Sequence, residues 1–567
     1  MRAVPRPARI QTSARTRTAL RPAGAKLLVC ALVLAGGWMR PALSRAQDFR
    51  EVSRSVGIDH VCYDPNRVCG GAAFFDYDGD GWEDLYVTGG LRPDKLYRNK
   101  GDGTFRDATA EAGLAILGEV TTVGVTAGDV DNDGDQDLFV TTAEEHGNYL
   151  FRNNGDGTFT DVSEEAGITG DDWSAAVALG DIDRDGWLDI YVANYALYDG
   201  LPYDEHLTGG IPNQLYRNNG DGTFSEVAES LGLDNSDGLT LGLVFGDLNR
   251  DQLVDLYVAN DFGQIFLPNG LYLNERGVFK EVAEASGTDA DINGMGVAIG
   301  DYDEDGDFDL FVSNIDRNRL YENVSDNPLR FEDVAIARAV ADSLATSWGA
   351  AFLDYDNDTY LDLMVANGRV LPSYNLADPK RALRLIQPHE NRLYRGSAGG
   401  VLTDMSRAAG VGDSTRGRGL AYADYDHDGD LDVFVAIVTK RENTSAHSLL
   451  YRNEVGDRKN WLKVELEGSE SNRDAVGSTV ELVAGERRWL RQLVGGSSYV
   501  SRSTNVVHFG LGERAAADSL IVYWPSGRRE AFGSVAANQT VRIVEGRSGP
   551  TAVVPGAATQ GTAETPE

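Results

Sequence analysis

Asp76 to Asp84 reads DYDGDGWED and is followed at once by LYV. The phrase returns as DVDNDGDQD from Asp129, DIDRDGWLD from Asp181, DLNRDQLVD from Asp247, DYDEDGDFD from Asp301, DYDNDTYLD from Asp354 and DYDHDGDLD from Asp424, seven copies in all. Carboxylates at positions one, three, five and nine of a tight loop, with glycine at six for the sharp turn, form a hard-oxygen cage suited to Ca²⁺. The backbone carbonyl of position seven completes it. The candidate ligands are Asp76, Asp78, Asp80 and Asp84; Asp129, Asp131, Asp133 and Asp137; Asp181, Asp183, Asp185 and Asp189; Asp247, Asn249, Asp251 and Asp255; Asp301, Asp303, Asp305 and Asp309; Asp354, Asp356, Asp358 and Asp362; and Asp424, Asp426, Asp428 and Asp432. Calcium is the expected cofactor, at up to seven sites. In the fourth loop Asn249 replaces an aspartate and Gln252 the glycine, so that site is expected to be the weakest or empty; in the sixth, Thr359 replaces the glycine.

An EF-hand shares positions one to nine but needs a bidentate glutamate at twelve and flanking helices. Position twelve here is a strand residue such as Val87, Val140 or Val192, and short β-branched and aromatic runs lead away from it. Each loop should therefore join two antiparallel strands. Nothing basic recurs beside the carboxylates in the sequence, so without a cation they would repel one another.

The loop starts are spaced by 53, 52, 66, 54, 53 and 70 residues, a period that signals a repeat architecture. Before each loop comes a strand of small residues, as in TVGVTAG (Thr122 to Gly128) and SAAVALG (Ser174 to Gly180), suited to crowding near a central axis. After it come a second strand, then LYRN or a close variant, then NGDGTF, whose Asn-Gly and Asp-Gly pairs are hairpin chemistry, and a fourth strand. Four antiparallel strands in each of seven units predict an all-β chain, a seven-bladed β-propeller. The seventh unit lacks its fourth strand after Leu450, whereas FREVSRSVGI (Phe49 to Ile58) matches FTDVSEEAGI (Phe159 to Ile168). The N-terminal strand is thus expected to complete blade seven, which would otherwise expose an unpaired edge.

The first 46 residues carry nine Lys or Arg and no acid, then the apolar run Leu27 to Met39, then ALSRA ending at Ala46. That is the pattern of a cleaved secretory signal. Its removal takes the formal charge from −36 to −36 − 9 = −45, and seven Ca²⁺ would leave −45 + 14 = −31. Such a chain is a poor partner for nucleic acid or anionic lipid. Cys62 and Cys69, in CYDPNRVC, are spaced for a local disulfide in an exported protein. The expected organisation is a signal over 1–46, the propeller over 47–458, a small β-sandwich or barrel over 459–546 and a disordered tail over 547–567, in a protein that is secreted, periplasmic or on the cell surface.

Units three and six carry insertions, Tyr195 to Pro212 and Gly368 to Asn391, expected on the face opposite the acidic loops. Long loops on a rigid scaffold either bind a partner or cap the channel. Tyr195, Tyr198, Tyr203, His206, Tyr374, Lys380, Arg381, Arg384 and His389 are the candidate contact residues. The chain has no GxSxG, no HExxH and no phosphate-binding glycine loop with lysine. The reading is therefore a non-catalytic scaffold for an extracellular or envelope protein or glycan, with no membrane insertion after signal cleavage. A lectin, or a carbohydrate-active lyase or hydrolase on the same ring, is the alternative.

The loops with their flanking strands resemble the FG-GAP/VCBS repeats of integrin alpha-chain propellers. SNRDAVGSTVEL (Ser471 to Leu482), GGSSYVS (Gly495 to Ser501), HFGLG (His508 to Gly512) and VYWPSGRRE (Val522 to Glu530) resemble the ASPIC/UnbV domain. Together they resemble the cartilage acidic protein 1-like family. The resemblance implies Ca²⁺ on the matched loop positions, secretion and no particular reaction. The cysteine-rich EGF module of vertebrate members is not found in this sequence.

Overall fold

A computed structural model describes residues 47–64, 68–143, 146–168, 170, 172–198, 207–325, 328–369, 389–440 and 445–553. Seven sheets follow the repeat. Blade one is Ala72–Phe75, Asp84–Val87, Lys95–Asn99 and Phe105–Asp107, joined in that order, and blades two to six repeat the pattern. Blade seven is built from Gly417–Ala423, Asp432–Thr439 and Leu449–Asn453, and its outer place is taken by Phe49–Glu51, with Phe49 opposite Asn453. Each acidic loop turns the first strand into the second, so all seven lie on one face.

The inner strands need small residues because adjacent blades nearly touch there. A Cβ on Gly124 would fall 2.4 Å from the Ala175 carbonyl oxygen, and one on Gly296 2.4 Å from that of Trp348. The second strand stitches the same seam: Thr88 Oγ1 donates to the Val123 carbonyl at 3.0 Å and Thr141 Oγ1 to that of Ala175 at 2.6 Å. Farther out, the blades bury separate aromatic and aliphatic cores between them, such as Tyr86, Leu96, Val125, Leu138 and Phe151.

The C-terminal part is a sandwich of two four-stranded sheets. One is Val507–Gly512, Asn460–Glu467, Gln539–Val544 and Thr551–Val553; the other is Arg487–Gln492, Thr479–Ala484, Ser519–Tyr523 and Arg529–Phe532. Trp489, Phe509, Leu511 and Trp524 fill its core. The strand Thr551–Val553 corrects the tail expected from composition: Arg542 pairs with Thr551 because Gln539–Val544 leaves an open ladder edge there. Residues 554–567 lie outside the described residues, as do 1–46.

The sandwich also fills the centre of the ring. Arg502 donates its N–H to the Ala72 carbonyl at 2.8 Å, Val125 N–H reaches the Val500 carbonyl at 3.2 Å, and Val297 N–H that of Ser498 at 2.9 Å. Gly495 pairs with Leu179, and Ser498 Oγ accepts from Ala350 N–H at 3.1 Å. One segment, Gly495 to Thr504, thus bonds inner strands of blades one, two, three, five, six and seven, since Thr504 N–H also reaches the Tyr422 carbonyl. At the far end Tyr499 donates to the Val68 carbonyl at 2.7 Å, beside the disulfide that joins Cys62 and Cys69.

Candidate metal centres

The loop geometry follows from where its own N–H groups point. The position-one carboxylate accepts the N–H of positions five and six: Asp76 takes Asp80 N–H at 3.2 Å and Gly81 N–H at 2.7 Å, and Asp354 takes Asp358 N–H at 2.9 Å and Thr359 N–H at 2.8 Å. The position-nine carboxylate joins loop to blade. Asp189 Oδ2 accepts Ile182 N–H at 3.0 Å, and its Oδ1 accepts the N–H of Asn218, the asparagine of LYRN, at 2.8 Å. These bonds fix both oxygens of Asp76, Asp354 and Asp189 in the loop. Three-carboxylate groups with ligand atoms within 4.8 Å of one another occur at Asp76, Asp78, Asp84; Asp129, Asp131, Asp137; Asp181, Asp183, Asp189; Asp301, Asp303, Asp309; and Asp354, Asp356, Asp362.

Burial makes these charges costly. Asp76, Asp181, Asp247 and Asp301 are pushed up to about 7, Asp129 and Asp354 to about 8, with burial the largest cause and neighbouring carboxylates adding to it. Every position-nine aspartate is held well above the carboxylate range, again by burial first. The position-three oxygens decide whether a cation fits. Asp78 Oδ1, Asp131 Oδ1, Asp303 Oδ1 and Asp426 Oδ1 are buried and have no hydrogen-bond donor among the described residues. A buried anionic oxygen without a donor is expensive, and a hard divalent cation is the partner that suits a cluster of them.

Two corrections to the sequence reading emerge here. Basic groups do recur beside the loops, because the third strand carries the arginine of LYRN back to its own blade's turn. Arg98 Nε lies 2.5 Å from Asp78 Oδ2 and its Nη2 3.0 Å from Asp80 Oδ2, and Arg395 Nη2 lies 2.7 Å from Asp356 and 2.6 Å from Asp358. The arginine offsets part of the charge from outside and leaves the inward oxygens free. The second correction concerns the insertions. Tyr195 is fully buried and donates to Asp261 Oδ2 at 2.7 Å, and His389 is buried with its Nδ1 accepting Thr346 N–H at 3.2 Å, so both belong to the interior. Blade three's insertion includes a hairpin of Ala196–Tyr198 with Leu207–Gly210. The side chain of Tyr198 and residues Tyr203, His206, Tyr374, Lys380, Arg381 and Arg384 lie outside the described residues.

The fourth loop satisfies itself in part. Asn249 Nδ2 donates to Asp251 Oδ2 at 3.2 Å and Asn249 Oδ1 accepts Asp251 N–H at 2.9 Å, so its amide closes on the loop.

Sequence reasoning missed a second use of the LYRN asparagine. Its side-chain N–H reaches the carbonyl of loop position two in the preceding blade: Asn153 to Tyr77 at 2.9 Å, Asn274 to Ile182 at 2.8 Å, Asn453 to Tyr355 at 2.6 Å, and Asn99 of blade one to Tyr425 of blade seven at 2.8 Å. The repeated asparagine was the signal, yet its partner lies from 76 to 326 residues away in sequence.

Fold and loops together define a β-propeller with repeated acidic loops whose carboxylates could hold a metal ion. The FG-GAP-like repeat model matches residues 76–140, 129–192, 207–258, 247–312, 301–365 and 382–435, and the ASPIC and UnbV model matches 468–550. The chain belongs to the FG-GAP-like repeat family and is a homologue of cartilage acidic protein 1. It is 27% identical to that protein of Mus musculus over 540 residues, 91% of this chain and 80% of the relative. To the Xenopus tropicalis protein it is 28% identical, over 85% of this chain and 74% of the relative. Among solved structures, YCF48 from Cyanidioschyzon merolae is 10% identical with a TM-score of 0.40, over 72% of this chain and 99% of that one, a likeness too slight to argue from.

Proposed function

We propose that the chain is an exported, calcium-stabilised, non-catalytic scaffold that presents the face opposite its acidic loops to an extracellular protein or glycan. The observation that carries the calcium reading is the set of buried, donor-free carboxylate oxygens at Asp78, Asp131, Asp303 and Asp426. The calcium ions would be held by positions one, three, five and nine and the position-seven carbonyl, with the fourth site weakest. When bound, the ion supplies charge neutralisation and fixes each inner hairpin. Extracellular calcium modules have Kd values near 10⁻⁴ M at their tighter limit. About 1 mM free Ca²⁺ then contributes roughly 1.4 kcal/mol per site, on the order of 10 kcal/mol over seven sites.

Export is supported by the basic and apolar N-terminal segment and by the Cys62 to Cys69 disulfide. The scaffold role is supported by a ring whose centre is filled by the chain's own segment Gly495 to Thr504, which directs recognition to the outer faces. The test is a pull-down from envelope or medium with Ca²⁺ present, using the full chain and a variant in which residues 199–206 and 370–388 are each replaced by a two-residue turn, which keeps the interior Tyr195 and His389. Capture that survives the shortening contradicts the assignment of the binding face.

A further inference from the structure

The seventh loop is surrounded differently from the other six. In those six the position-nine Oδ2 accepts the N–H of position two. In loop seven the matching oxygen, Asp432 Oδ2, is buried and without a partner among the described residues, and so are Asp424 Oδ1, Asp426 Oδ1 and Asp430 Oδ1. Asp430 stands at position seven, where the other loops place Trp82, Asp135, Trp187, Leu253, Asp307 and Tyr360. It is fully buried, and its other oxygen accepts Asp457 N–H at 3.1 Å. Four donor-free carboxylate oxygens therefore lie in one short turn whose carboxylates bear a formal −5.

The roof of this turn is the C-terminal sandwich. Lys463 places its ammonium 2.6 Å from Asp424 Oδ2, with the two side chains 8% and 2% exposed. His508 Nε2 lies 3.1 Å from the Gly429 carbonyl oxygen, and the Trp461 indole covers Gly429 so closely that a Cβ could not stand there. A cavity of about 270 Å³ opens beside them, lined among others by Asp424, His427, Lys463 and His508. One lysine leaves the turn at a formal −4, and it holds only one of the oxygens, so a divalent ion still has a place.

We propose that loop seven is an interdomain cation site. Asp430 joins Asp424, Asp426, Asp428 and Asp432 around the ion, and Lys463, His508 and Trp461 of the sandwich close over it, so that this ion latches the sandwich to the propeller. The inference rests on the calcium reading above. Without the ion the turn's repulsion is relieved by opening, and the sandwich strands that roof it lose their seat.

The test is amide hydrogen exchange of peptides covering Trp461–Glu467 and Val506–Leu511, with Ca²⁺ and with a calcium chelator, alongside a direct count of bound calcium. In the wild-type chain, Ca²⁺ is expected to slow exchange there by about tenfold or more. Asp189→Asn in loop three keeps that protection, whereas Asp430→Asn loses it and binds one ion fewer. If Asp430→Asn fails to fold, Lys463→Met serves: it keeps the ion count and loses the protection. Protection equal with and without Ca²⁺ in a wild-type chain that binds calcium overturns the latch alone. A wild-type chain that binds no calcium overturns the calcium reading, and the latch with it.

Discussion

The side-chain N–H of Asn218 donates to the carbonyl of Val130 at 2.8 Å, carrying blade three across to the acidic turn of blade two. The same amide reaches the Leu188 carbonyl at 3.1 Å, and Asn218 Oδ1 accepts Gly220 N–H at 3.0 Å. Asn218→Leu leaves two buried carbonyls without donors, and a loss of about 2 to 4 kcal/mol in urea unfolding is expected. Blade six offers the converse. Gly396 takes the place of the asparagine, and a Cβ there would fall 2.1 Å from the Leu361 carbonyl oxygen, so Gly396→Asn is expected to destabilise even though it restores the repeat.

The loops should differ in what their loss costs. Asp189→Asn is expected to remove one bound ion and lower the melting temperature in Ca²⁺ by several degrees. Asp255→Asn in loop four should lower calcium affinity and the calcium-dependent part of the melting temperature less than the same change in any other loop, because Asn249 already closes that loop partly on itself. Calcium titration of the two variants by calorimetry checks this.

Stability should respond to pH with opposite signs in the two metal states. Asp76, Asp181, Asp247 and Asp301 have native values pushed up to about 7, above the ordinary 3.8 of an unfolded aspartate. Between these values the native state binds more protons than the unfolded one, so unfolding free energy falls as pH rises. Chelator-treated protein is therefore expected to lose stability from about pH 4 to about pH 7. With millimolar Ca²⁺ the same aspartates must be ionised to bind, and stability should rise over that window. Thermal melts across pH with and without Ca²⁺ measure both slopes.

The segment Gly495 to Thr504 predicts a dependence of the ring on its own filling. Tyr499 is fully buried, packs edge-on against Trp348 with ring centroids 4.9 Å apart, and is bonded to Val68. Tyr499→Ala should cost about 3 to 5 kcal/mol by cavity formation, read as a lower urea midpoint for the whole chain.

Much of this fold was legible because the repeat wrote it seven times. Acidic turns, glycine-rich inner strands and the displaced Phe49–Glu51 strand each follow from local pattern and spacing. What stayed hidden is what depends on neighbours. Position four of every loop is left-handed, and at Arg184, Arg250 and Glu304, with φ of 61°, 60° and 64°, the residue type gives no hint of it. The arginines of LYRN lie far from the loops in sequence and fold back only through strand pairing. GGSSYVS carries few residues that announce a buried core segment, yet the inner strands demand a filler with exposed backbone groups, and that segment supplies them. Tyr195 and His389 sit in insertions that composition marks as surface, and hydrogen bonds to Asp261 and Thr346 draw them inward.

The central claim is that divalent ions hold the acidic turns and thereby the ring. Differential scanning calorimetry of the full chain in 1 mM Ca²⁺ and in excess chelator, at pH 7.5, tests it most directly. A fall in melting temperature of more than about 10 °C on chelation, reversed by added Ca²⁺, is the expected result. A shift below about 5 °C would contradict it.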